Sequence, residues 1–169
     1  DEPGLPSVLS GELPTASGFG RIRAIDPTTA AEGLRDVVAA AGERHTVVHC
    51  CASDVPLVLL RDTGAKALSV DTSLLGPTGW ESVAATVESG VDLWAGVVPT
   101  TTDASAAKVT GVIGPLVAAW HNVGLPKPGL SRATLTPACG LAGLAPERAR
   151  SVQRLAVDAA RARSETARS

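Results

Sequence analysis

The chain contains no methionine and no tyrosine, and only 2% of its 169 residues are aromatic. The missing initiator points to a piece of a longer chain. It has no charge excess of either sign: 15 Lys+Arg stand against 17 Asp+Glu, a net of −2. That argues against a general nucleic-acid binder, which needs a basic surplus. No apolar run approaches the roughly 20 residues of a membrane helix; the densest, Val55 to Leu60, is far too short. The start, Asp1-Glu2-Pro3-Gly4, lacks the basic head and apolar stretch of a secretory signal. A cytoplasmic location is therefore expected. Three cysteines is an odd number, so a pure disulfide framework is excluded in its simple form. Free thiols in a reducing compartment point instead to metal binding or catalysis. No phosphate loop and no Gly-x-Ser-x-Gly elbow is present, and Gly111 and Gly114 fall within a helical segment.

What is present is hydrophobicity of 44% with 19% charge, the balance of a globular chain at a one-domain length. The first 25 residues hold Gly4, Gly11, Gly18, Gly20, Pro3, Pro6 and Pro14 and read as a long loop. From residue 26 onward, short apolar runs alternate with helical patterns. Thr29 to Glu32 reads as a capping box, followed by Leu34, Val37, Val38 and Ala41 at helical spacing. Strands are expected at Thr46–Cys51, Lys66–Asp71, Asp92–Val98 and Arg132–Thr136. Helices are expected from Ser53 to Asp62, from the Thr78–Glu81 capping box to Gly90, from Thr102 or Asp103 to Asn122, and from Pro146 to Arg163. Ser164 to Ser169 should fray.

Strand–helix repetition with apolar strands predicts parallel pairing, because helical crossovers cover the sheet. Four units make either a small open sheet or half of an eight-stranded barrel, whose usual length is about 250 residues. The loop-like start and the missing methionine favour the half-barrel, with residues 1–25 a loop and 26–169 the β/α units.

In parallel α/β folds chemistry gathers at the carboxyl ends of strands. Here those ends carry His49-Cys50-Cys51, Asp71, Pro99-Thr100-Thr101 and Pro137-Ala138-Cys139-Gly140. Alternation puts His49 and Cys51 on one face and Cys50 on the other, against a helix. His49, Cys51, Asp71 and Cys139 then form a possible zinc set: three firm ligands and one displaceable one, the pattern of an open catalytic site. The spacing leaves a second reading open. In it Cys51 and Cys139 pack in the core, His49 is a hydrogen-bonded strand residue, and Asp71 caps the next turn. His45 is expected at the surface and His121, near a helix end, in a packed or solvated role, while Thr100 to Asp103 is expected as a helix start that caps in the ordinary way, with anion binding by its amides the alternative.

The segments His49-Cys50-Cys51-Ala52-Ser53-Asp54, Val70-Asp71-Thr72-Ser73 and Pro137-Ala138-Cys139-Gly140-Leu141 resemble, in order and separation, the carboxy-terminal catalytic barrel of cobalamin-independent methionine synthases. Asp1-Glu2-Pro3 resembles the motif that ends the fourth barrel strand in that family. The resemblance implies a TIM barrel of which this chain supplies the last four units, strands five to eight. It implies zinc on His49, Cys51, Asp71 and Cys139, and Asp1 on the amino group of homocysteine. The implied activity is methyl transfer to the homocysteine thiol, with no activity for a half-barrel that lacks its first half. Two positions depart from the family. Asp71 stands where a glutamate is usual, and Val97-Val98-Pro99-Thr100-Thr101 lacks the histidine of the folate-using enzymes. The donor therefore stays open between methyltetrahydrofolate and a methyl-corrinoid. A corrinoid-linked thiol methyltransferase of the uroporphyrinogen decarboxylase-like superfamily and a non-catalytic zinc-binding relative are the alternatives.

Overall fold

The computed structural model describes residues 1–100 and 108–168. The helix start expected at Thr102 or Asp103 lies outside them. Four strands, β1 (Val47–Cys50), β2 (Ala67–Asp71), β3 (Asp92–Val98) and β4 (Thr134–Pro137), form one sheet in the order β1-β2-β3-β4. Every pairing is parallel. The helices are α1 (Leu5–Ser10), α2 (Pro27–Ala40), α3 (Leu57–Arg61), α4 (Pro77–Glu88), α5 (Val109–Asn122) and α6 (Pro146–Arg168). The strand–helix alternation read from the sequence is thus the architecture of the sheet. A strand order that runs on without reversal is what right-handed crossovers produce when they all pass over one face.

The two faces differ accordingly. Register aligns Val48 with Leu68 and Leu93, and Cys50 with Val70, Ala95 and Leu135. All of these are buried, in one cluster with Leu57, Leu60, Val83, Leu116, Trp120 and Val152 from the helices. The other face carries His49, Ser69, Trp94 and Thr134 in one row, and Asp71, Gly96 and Thr136 in the next. Thr134 is exposed, and His49 and Trp94 are half-buried.

Several boundaries differ from the expected ones. The first 25 residues are not all loop: Leu5 to Ser10 form α1, with Pro6 in its first turn and Gly11 ending it at φ 73°. The left-handed cap is open to glycine at no steric cost. Leu5 is buried in the core and anchors the segment. Neither capping box opens its helix. α2 starts at Pro27, with Asp26 accepting from the Thr28 N–H at 2.8 Å. α4 starts at Pro77 behind Gly76. Proline pre-sets the φ of the first helical position and gives up no needed donor, so it moves the start upstream. Ser53 caps nothing: Asp54 takes a positive φ of 56°, and α3 begins only after Pro56. The residue before a proline is held out of helical geometry.

At the other end α6 runs to Arg168 instead of fraying after Arg163. Arg163 donates to the carbonyls of Leu130 and Ser131, and the Ser164 and Thr166 hydroxyls donate back to Ala160 and Ala162. These contacts tie down the last turns. Among the described residues no helix is long and apolar enough to cross a membrane.

Candidate metal centre

β1 ends in His49 and Cys50, and Cys51 follows immediately. The alternation holds: Cys50 is fully buried on the helix side, while His49 and Cys51 are half-buried on the other. Cys139 follows β4 and is exposed. β1 and β4 are the two outer strands, three spacings apart, or about 14 Å across a flat sheet. Yet the thiols of Cys51 and Cys139 lie 3.0 Å apart.

The chain after β4 closes part of that gap by crossing over the end of β3. Register slips between Gly96 and Val98, and the Ala138 N–H donates to the Val98 carbonyl at 2.9 Å. A side chain at Gly96 would meet the Val70 carbonyl at 2.7 Å and Ala138 Cα at 2.8 Å. Only glycine lets Pro137 and Ala138 cross there and carry Cys139 toward Cys51.

One ligand atom each from His49, Cys51 and Cys139 lies within 4.8 Å of the other two. Tetrahedral zinc with bonds of about 2.0–2.3 Å sets its donors about 3.5–3.8 Å apart. Donors that all lie within 4.8 Å of one another, with the two thiols 3.0 Å apart, are close enough to share one ion, and two thiols with an imidazole are a donor set zinc favours. The residues therefore fit such an ion. Asp71 is not brought into the group. Its Oδ1 accepts from the Ser73 N–H at 2.9 Å and the Ser73 hydroxyl at 2.6 Å, capping a short turn at Thr72–Leu74. Three protein donors thus converge.

Electrostatics fit a cation. The hydrogen bond with Cys139, then burial, push the Cys51 thiol up to about 11. Two thiolates at this separation repel, so without positive charge the pair holds a proton. Burial, the largest cause, lowers the pKa of His49, against the Ser69 contact and the Asp71 charge, which raise it. The neutral ring is the form that ligates.

Asp1 stands at the same rim: the Glu2 N–H donates to the His49 carbonyl at 2.8 Å. His45, expected at the surface, is exposed before β1, and of the two roles left open for His121 the structure shows the solvated one, exposed in the last turn of α5. Ser69 and Gly96 were not foreseen. The signal for Ser69 was available: it is the one polar residue in Ala67–Val70, two before Asp71 and so on the same face.

Comparison with family models, with curated proteins and with solved structures finds no match to this chain.

Proposed function

We propose that the chain is the second half of a (β/α)8 barrel that transfers a methyl group to the thiol of homocysteine, in the manner of the cobalamin-independent methionine synthases. The observation that carries this reading is the meeting of His49, Cys51 and Cys139 at one strand rim from opposite edges of the sheet. Core packing alone does not account for it, because Cys139 is exposed and Cys51 half-buried. The unreversed parallel strand order and the uncovered, partly polar face suit strands five to eight, closed by a first half.

His49, Cys51 and Cys139 would hold zinc, with the fourth position left to substrate. Zinc supplies positive charge that keeps a bound thiol in its nucleophilic thiolate form at neutral pH. Cys51 and Cys139 contribute the negative charge that keeps that thiolate electron-rich. Asp1, beside the end of β1, offers a carboxylate to the ammonium of the amino acid, a charge-assisted contact. Asp71, engaged by Ser73, shapes the rim rather than ligating. No histidine occurs from Val97 to Thr101, so the methyl donor stays open between methyltetrahydrofolate, whose leaving nitrogen needs a proton, and a methyl-corrinoid.

X-ray absorption at the zinc edge tests the reading on the purified chain. Zinc bound by two sulfurs, rising to three with homocysteine, is the expected result. A chain without zinc, or a shell that ignores homocysteine, overturns it.

A further inference from the structure

Ser69 lies in β2, in direct register with His49 of β1, and is 6% exposed. A buried hydroxyl seeks a partner. The partner of this one is a ring nitrogen: His49 Nδ1 lies 2.9 Å from Ser69 Oγ. The backbone at His49 is pinned from the other side, where its carbonyl accepts from the Glu2 N–H at 2.8 Å. The residue is thus held at two points, one on the ring and one on the main chain. The nearby carboxylate, Asp71, is already bonded to Ser73.

We propose that Ser69 is the positioning residue of the metal centre: by accepting a hydrogen bond from His49 Nδ1–H it fixes the ring's tautomer and leaves Nε2 as the ligand atom. This deepens the metal-centre reading above and rests on it. The physical reason is general. A ligating imidazole is oriented by what its other nitrogen bonds, and an acceptor there also makes the ring a better donor. A serine does this without adding a charge. The three-residue ligand set then carries two thiolates and a neutral ring. The central placement of β2 adds stiffness, since it is paired on both edges, with β1 and with β3.

The full chain, carrying labelled histidine nitrogen and loaded with an NMR-active cadmium isotope, gives the first test. Scalar coupling from cadmium to His49 Nε2, with a proton on Nδ1, is expected; coupling to Nδ1 overturns the proposal. Absence of any bound cadmium overturns it together with the metal-centre reading. The second test is zinc affinity by chelator competition. Ser69→Ala should weaken binding roughly 10- to 100-fold, and Ser69→Thr, which keeps the hydroxyl, should restore it. The cobalt-substituted spectrum should broaden in the alanine variant and recover in the threonine one. Unchanged affinity in Ser69→Ala overturns the positioning role while leaving the metal centre standing. The coupling measurement needs no variant, so it decides the matter even where the alanine protein fails to fold.

Discussion

Cys50 and Cys51 are neighbours in the chain and opposites in the fold. Cys50 points into the helix-covered face, with no exposure, among Val48, Leu57 and Val70. Cys51 stands on the open side, 3.0 Å from a cysteine 88 residues away. Both thiols are held in their neutral form, but for different reasons. Burial raises the pKa of Cys50, whereas a second thiol is the first cause for Cys51. The covered face spends its residues on packing and tolerates little change in volume. The open face keeps polar groups half-exposed and committed to one another. The contrast teaches that residue type alone does not assign a role: the same side chain is core on one side of the sheet and chemistry on the other.

The sharpest way to break this comparison is to move the thiol from one face only. Cys139→Ser or Cys51→Ser should reduce zinc affinity beyond the roughly 100-fold that losses outside the ligand set reach, as read by chelator competition. Cys50→Ser should leave affinity near that of the parent and show its effect in stability. Equal losses in Cys50→Ser and Cys51→Ser would erase the distinction. On the covered face, Leu68→Ala should cost about 3 kcal/mol in denaturant unfolding, since Leu68 has no exposure and sits in the central sheet. The protein that remains folded should bind zinc as before.

The pH dependence gives a third, smaller effect. The Cys51 thiol is raised in the folded chain from 9.0 to about 11. The folded state therefore holds its proton where the unfolded chain releases it. That contribution to stability is complete below pH 9.0 and fades as pH rises toward 11. Metal-free protein should lose stability over this window in thermal melts, and zinc-loaded protein should not show the same loss. The smallest effect belongs to the far rim. Arg132 bonds Asp92 at 2.7 Å, but Arg132 is 60% exposed and Asp92 36%. Arg132→Ala should cost under about 1 kcal/mol and leave zinc binding unchanged.

Much of the architecture was readable residue by residue. β3 falls at Asp92–Val98 as expected, and the other three strands lie within two residues of their expected ends. Apolar strands bounded by polar residues leave little choice of period. Helix starts were less readable. Thr29 and Thr78 had the right chemistry for caps, but Pro27 and Pro77 lie upstream and start the helices first. α1 was hidden because six residues with one buried leucine make no periodic pattern. Of the four residues expected at the metal, three converge. For Asp71 the spacing left two roles open, and the turn-capping one is what the fold uses.

Local chemistry in the chain is enough to establish a parallel strand–helix repeat, and to place His49 and Cys51 on one face with Cys50 on the other. Those properties follow from the period of a strand and the reach of a helix, which each segment carries within itself. The approach of Cys139 to Cys51 belongs to the folded sheet. It depends on a bare Gly96 that lets Pro137 and Ala138 pass and on the register slip between Gly96 and Val98. The engagement of Asp71 by Ser73 and of His49 by Ser69 is of the same kind. Each carboxylate, ring or thiol has several partners within its possible reach, and only packing of the whole sheet selects one.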